Sequence, residues 1–167
     1  IRPLDFILTL ALIPLAAPLA LIIAAAIKAT SPGSAFFTQV RVGHHGEHFV
    51  LWKFRTMGEH AEAHGPRWAT PGDARITPVG RFLRRTHLDE LPQLANVLIG
   101  NLSLGGPRPE RPEFVEELRA HIPFYDARHG VRPGITGWAQ VHYRYGASVD
   151  EAYEKLQYDL YYLMHRS

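Results

Sequence analysis

The polar and apolar positions divide this chain sharply. From Phe6 to Ile27 it reads FILTLALIPLAAPLALIIAAAI, 22 residues without a charge, with Arg2 and Lys28 flanking the run. A straight helix of that length would reach roughly 33 Å at about 1.5 Å per residue, enough to cross the core of a bilayer. Pro14 and Pro18 lie mid-run, where each removes a backbone donor and crowds the preceding turn. Basic residues at both ends give no positive-inside preference. Two placements stay open: a segment bent near the prolines, dipping into one leaflet and returning both ends to one face, and a kinked helix that spans. A secretory signal fits less well, because the run exceeds the usual ~7–15 residues and Asp5 sits in its basic region. Membrane association follows from every placement except the signal.

Beyond the breaker TSPGS (Thr30–Ser34) the pattern changes to alternation. FFTQVRVGHHGEHFVLWKFRTM predicts a hairpin turning at Gly43–Gly46, with Gln39 and Arg41 on one face of the first strand. Lys53 and Arg55 are expected on one face of the second strand, opposite Trp52 and Phe54. Residues 59–74 are polar, with Gly and Pro throughout, and read as a mobile loop able to act as a lid. Thr77-Pro78 then supplies an N-cap and a first-turn proline, with Val79, Phe82 and Leu83 on the apolar side and Arg81, Arg84 and Arg85 on the other. Pro112 opens a helix with Phe114, Val115, Leu118 and Ile122 as its stripe, stopped by Pro123. A capping box from Ser148 to Glu151 starts the last helix, whose stripe is Val149, Tyr153, Leu156, Leu160 and Leu163. These stripes are core faces or surfaces that rest on a membrane.

Composition narrows the chemistry. The 167 residues suggest one domain with room for a core, and the start at Ile1, without a methionine, suggests a piece of a longer protein. A net charge of +2 is too small to argue for nucleic acid. No cysteine is present, which removes disulfides, thiolate metal sites and cysteine nucleophiles. Lysine occurs only at 28, 53 and 155, so most of the 18 basic residues are arginines, whose planar fork suits phosphate. From composition alone, an Arg- and Ala-rich genome is the better explanation of that skew. His44, His45 and His48 flank a glycine turn with no carboxylate framework and read as solvated turn residues.

The most unusual charges lie in RRTHLDELP. Between Ala74 and Pro109 the only acids are the adjacent Asp89 and Glu90, against five arginines at 75, 81, 84, 85 and 108. The pair precedes QLANVLIG, a short apolar helix, and so belongs near a helix N-terminus, where dipole and arginines keep both acids ionised. An ionised pair can bind a divalent cation, and one member can act as a nucleophile. For an isolated D-E pair, a decorated helix end salt-bridged to arginine is the better explanation. Its company changes that: GPRPERPEF and VRPGITGWAQV are rigid Gly/Pro segments presenting Arg108 and Arg132, poor core and good anion ligands.

In order along the chain, the proline-broken apolar segment, FFTQVRVG, LWKFRTM, ITPVGRFLRRTHLDELPQLANVL, GPRPERPEF, RPGITGWAQV and EKLQYDLYYL resemble the catalytic domain of bacterial sugar transferases. These are the monotopic phosphoglycosyl transferases that begin exopolysaccharide, O-antigen and glycoprotein glycan assembly. Ala17-Pro18 stands where the family has Ser-Pro, His87 replaces the usual serine, and VHYRYGAS looks like the exopolysaccharide branch. Family chains usually continue past YYL with an apolar helical tail.

The resemblance implies an α+β fold with an N-terminal re-entrant membrane helix–break–helix (residues 1–30). A catalytic unit (31–167) on the cytoplasmic face of the bacterial inner membrane follows, made of a small hairpin and amphipathic helices around an Arg-rich site. It also implies roles. Asp89 attacks the β-phosphorus of a UDP-sugar and displaces UMP, and a polyprenol (undecaprenyl) phosphate then takes the phosphosugar from the aspartyl ester. Glu90, with Asp89, holds Mg²⁺. Arg84, Arg108 and Arg132 clamp phosphates, with Lys53 and Arg144 as further candidates, and Asp159 orients an arginine. Two other readings account for part of this pattern. A non-catalytic module gripping anionic headgroups leaves Asp89-Glu90 unexplained, and a Mg²⁺-dependent lipid phosphohydrolase requires no nucleotide.

Overall fold

The computed structural model describes residues 3–59, 61, 65, 70, 72–143 and 148–165. Its elements are α1 (Pro3–Thr30), β1 (Phe36–Val42), β2 (His48–Phe54), α2 (Pro78–Thr86), α3 (Gln93–Ile99), β3 (Ser103–Gly105), α4 (Pro112–His121), β4 (Gly134–Thr136), α5 (Trp138–His142) and α6 (Val149–His165). The α+β class is as expected. The expected break in the apolar segment is not a gap in the helix, because α1 continues through Pro14 and Pro18. A proline costs one hydrogen bond and can bend a helix without ending it.

Apart from Ala26, the less exposed residues of α1 form one stripe: Asp5, Thr9, Ile13, Ala16, Ala20, Ile23, Ala24 and Ile27. Spacings of mostly three and four put them on a single helical face. That face lies on the rest of the chain toward both ends. Ile23 and Ile27 join Ala35, Phe54 and Leu83 in a buried cluster, while near the N-terminus Ser103 Oγ donates to Asp5 Oδ2 at 2.5 Å. The other faces expose Ile7, Leu15, Leu21 and Ile22, each more than 60% accessible.

β1 and β2 form the antiparallel hairpin in the register Phe36↔Phe54 to Val42↔His48. Gln39, Arg41, Leu51 and Lys53 therefore share a face. Arg55, expected beside Lys53, lies past the end of β2. Its guanidinium instead satisfies carbonyls at the C-terminal end of α1, with Nη2 reaching Ser31 O at 3.1 Å and Nη1 bonding Pro32 O. The free edge of β2 is occupied by Asn96 of α3. Its Oδ1 accepts from Trp52 N (3.1 Å) and its Nδ2 donates to Val50 O (2.8 Å). A side-chain amide thus replaces a third strand and fixes α3 against the hairpin.

The predicted caps form. Thr77 Oγ1 accepts from Gly80 N at 2.9 Å, and Ser148 and Glu151 make the reciprocal box. A Cβ on Gly80 would lie 2.0 Å from Thr56 O, so only glycine lets α2 approach the strand end this closely. Two stripe assignments shift. Phe82 is 60% and Tyr153 50% exposed, and Ala152 rather than Tyr153 joins Val149, Leu156 and Leu160 against the core of Val42, Val115, Leu118, Ile122 and Tyr125. Most of the polar loop expected over 59–74 lies outside the described residues, so its role as a lid does too.

Candidate active site

α2 ends at His87, which takes a left-handed conformation (φ 57°) and returns its N–H to Arg84 and Leu83 carbonyls. That reversal starts a 3-10 turn, Leu88–Glu90, leading through Pro92 into α3. The paired acids therefore sit in the turn before the helix, both only 8% exposed.

Their environments differ. Glu90 Oε1 receives Lys53 Nζ at 2.9 Å and Arg108 Nη2 at 2.6 Å, and Oε2 receives Arg108 Nη1 at 3.4 Å. Burial alone would raise its pKa, but Arg108 and Lys53 bring it down to about 2. Among the described residues no hydrogen bond or ion pair reaches the Asp89 carboxylate. Burial pushes its pKa up and Glu90 adds to that, while Lys53, Arg84 and Arg108 pull it back. The two acids, both expected to be kept ionised, are thus shifted in opposite directions, Glu90 down and Asp89 up. The direct ion pairs go to Glu90, and Asp89 is left a desolvated anion with cations nearby and none touching it. Burial and Arg108 lower Lys53 to about 8, so it keeps its charge only below mildly alkaline pH.

Arg84 projects from α2 and is fixed by Nε donating to Thr56 Oγ1 at 2.8 Å. Arg108 is set by its loop. The short parallel pair β3–β4 brings the GPRP and RPG segments together, with Gly106 N donating to Thr136 O and Gly134 N to Pro107 O, both at 2.9 Å. A Cβ on Gly134 would lie 2.1 Å from Gly106 N, so the two glycines make the approach possible. Val42 N holds Glu110 O at 2.9 Å from the other side.

Arg132 shares this loop pair. Its backbone carbonyl borders Gly106, but its half-buried guanidinium makes no ion pair among the described residues and is not among the principal charges acting on Asp89. Arg144 lies outside the described residues. Asp159 does orient an arginine, but that arginine is Arg128. Arg128 Nε and Nη2 lie 3.0 and 2.8 Å from Asp159 Oδ2, and Nη1 donates to Tyr125 Oη at 2.6 Å.

Three residues near the acids escape the sequence argument as site residues. Arg41 Nη1 donates to Pro109 O at 3.0 Å and, with Lys53, Gln93 and Arg108, lines a small cavity. The alternation of β1 already put Arg41 on one face with Gln39, but could not say that Lys53 shares that face of the hairpin. Gln93 is one helical turn beyond Asp89, a spacing that could have singled it out. Arg128 sits in the irregular stretch YDARHG, where no periodic signal exists.

A divalent cation such as Mg²⁺ needs one or two carboxylates, with water and substrate phosphates completing its shell. The open Asp89 carboxylate beside Glu90 fits that donor set. No group of three or more His, Asp or Glu side chains placed to hold a metal by themselves occurs among the described residues.

A family model described as bacterial sugar transferase matches residues 1–167. The chain is 47% identical over 162 residues to the UDP-N-acetylgalactosamine-undecaprenyl-phosphate N-acetylgalactosaminephosphotransferase of Aeromonas hydrophila, an alignment covering 97% of this chain and 38% of that protein. It is 42% identical over 161 residues to the UDP-glucose:undecaprenyl-phosphate glucose-1-phosphate transferase of Escherichia coli K12, covering 95% and 35%. With the protein of the latter name from Caulobacter vibrioides it shares 49% over 142 residues, covering 84% and 52%. The chain thus spans between about a third and a half of these relatives, and by the match along its whole length it belongs to the bacterial sugar transferase family.

Proposed function

We propose that this chain transfers a sugar-1-phosphate from a UDP-sugar to a polyprenol phosphate, as the first membrane step of exopolysaccharide or related glycan assembly. The observation that carries this reading is the contrast within the acid pair. Glu90 is tied to Lys53 and Arg108, whereas Asp89 is buried, without a direct partner among the described residues and surrounded by cations. A carboxylate that is desolvated yet held near positive charge suits nucleophilic attack on a phosphorus whose oxygens those cations neutralise.

An oxygen of Asp89 attacks the β-phosphorus, forming a P–O bond to the carboxylate. The bond from β-phosphorus to the bridging oxygen breaks, and UMP leaves with that electron pair. A phosphate oxygen of the polyprenol phosphate, already ionised, then attacks the same phosphorus and restores the Asp89 carboxylate. Lys53, Arg84 and Arg108 orient and neutralise the diphosphate, and Arg132 and Arg144 complete the phosphate contacts. Glu90 keeps Lys53 and Arg108 in place. Mg²⁺, held by Asp89 and Glu90 together with the diphosphate, would supply further charge neutralisation for UMP departure.

The placement of α1 supports a monotopic reading, on the cytoplasmic face of the bacterial inner membrane. Its stripe and the Asp5–Ser103 bond keep both ends of the helix on the catalytic unit. Its leucines, with Ile7 and Ile22, face outward and would meet lipid.

Labelled UDP-sugars tested in a panel against membranes should transfer label to lipid. Without lipid acceptor the protein should release UMP and retain phosphosugar covalently. UMP release only with polyprenol phosphate present would replace the covalent route with direct attack, and transfer of label to water would make the protein a hydrolase. EDTA should abolish transfer and Mg²⁺ restore it, while full activity in chelator would leave charge neutralisation to the cations alone.

A further inference from the structure

Gln93 is the first residue of α3, 2% exposed, and its Nε2 has no hydrogen-bond acceptor among the described residues. Buried amide groups are nearly always paired, because an unmet donor keeps the full cost of leaving water. α3 gives no packing reason for an amide there, since the cluster beside it is Val97 with Phe49, Leu51 and Leu102. Gln93 does line the cavity enclosed by Arg41, Leu51, Lys53, Arg108 and Pro109. That cavity is about 10 Å³, room for a single oxygen-sized centre. Two of its cations, Lys53 and Arg108, are those bound to Glu90. An anionic oxygen entering it would meet positive charge from Lys53 and Arg108 and the spare N–H of Gln93. Nothing in the family match assigns this residue a part in the reaction.

We infer that Gln93 is a substrate-contacting residue whose Nε2–H donates to a non-bridging phosphoryl oxygen seated between Lys53 and Arg108. The inference rests on the transfer reaction proposed above and adds to it a neutral donor beside the cations. A neutral amide is suited to this place. It binds the oxygen without adding a fourth positive charge to a site that already burdens Lys53, and its protonation does not change with pH. The oxygen can belong to the UDP-sugar or to the polyprenol phosphate, since both bring the same group to Asp89.

Two variants test this: Gln93→Leu, which removes the donor and leaves no unmet polar group, and Gln93→Glu, which keeps the shape and opposes an anion. Melting temperature should be unchanged or raised in Gln93→Leu, because an unpaired buried amide is gone. Its kcat/KM should fall about 10- to 100-fold, the range for a lost hydrogen bond to a charged group, and Gln93→Glu should fall further. A fall confined to UDP-sugar, with the KM for polyprenol phosphate unchanged, assigns the oxygen to the donor. A fall confined to the polyprenol phosphate assigns it to the acceptor. Wild-type rates in Gln93→Leu and Gln93→Glu overturn the inference, as does a fall that tracks a lowered melting temperature. Inorganic pyrophosphate provides a reading independent of turnover. It should raise the melting temperature of the unaltered protein and do so much less in Gln93→Glu, and equal stabilisation of both overturns the inference even if no UDP-sugar is turned over. An unaltered protein inert toward every UDP-sugar, yet protected by pyrophosphate through Gln93, would sink the transfer reading alone.

Discussion

Arg128 donates from Nη2 to the backbone carbonyl of Arg108 at 2.8 Å, and the same nitrogen lies 2.8 Å from Asp159. A buried ion pair on α6 and the turn before β4 therefore holds the peptide that carries a site arginine. Arg128 is 7% and Asp159 2% exposed. Removing one member of a buried pair strands the other, which costs about 3–5 kcal/mol. Arg128→Met and Asp159→Leu should each destabilise by that order in denaturant melts. The double variant Arg128→Met/Asp159→Leu should recover much of the stability. Transfer activity should stay low in both variants that lack Arg128, because the Arg108 carbonyl has lost its anchor. Additive stability losses in the double variant would show that the pair is uncoupled.

The two adjacent acids should respond oppositely to neutralisation. Asp89→Asn removes a buried charge that has no direct partner, so its melting temperature should equal or exceed that of the parent while transfer is abolished and no covalent adduct forms. Glu90→Gln leaves Lys53 and Arg108 without their shared anion and should lower stability by about 3 kcal/mol or more. It should slow adduct formation without moving the attachment site. Equal melting curves for the two variants would contradict the asymmetry, and a mass-spectrometric adduct on Asp89→Asn would move the nucleophile elsewhere.

The pH profile should carry the marks of Glu90 and Lys53. Glu90 titrates at about 2 when folded against an ordinary 4.5, so its stabilisation, about 3 kcal/mol at roughly 1.4 per unit, is complete above about 4.5 and lost as pH falls toward 2. Lys53 is depressed to about 8 from 10.5, so between those values the unfolded chain holds more protons and folding stability should rise with pH. Activity should do the reverse. Above about 8 the site loses the Lys53 charge, and kcat/KM for the UDP-sugar should decline. Lys53→Arg, whatever its plateau, should lack that alkaline decline; the same decline in the variant would assign it to another group.

Cysteines at Arg2 and Lys28 test the membrane placement. The face from Asp5 to Ile27 lies on the catalytic unit, so both should react with an impermeant thiol reagent from the same, cytoplasmic side. Reaction from opposite sides would mean that α1 leaves the catalytic unit and spans.

Much of this was written along the chain, because local chemistry dictates it. The hairpin, the Thr77 and Ser148 caps, the start of α4 at Pro112 and the apolar α1 all follow from alternation, capping residues and periodicity, which act over a few neighbours. The order of motifs was enough to pick out Asp89, Glu90, Lys53, Arg84 and Arg108 as residues that meet. Nothing local could say that Asp89 and Glu90, adjacent in sequence, would be treated so differently. That depends on Lys53 from the hairpin and Arg108 from a distant loop both choosing Glu90, and on the packing of α2 and β2 against the Leu88–Glu90 turn, where Asp89 is dried. Nor could it assign Asp159 to Arg128, or leave the Gln93 amide unpaired. Burial and long-range pairing are properties of the assembled packing, where dielectric and contact are set by elements far apart in the chain. Residue types set which charged groups were available, and their packing set which acid was paired and which was left open.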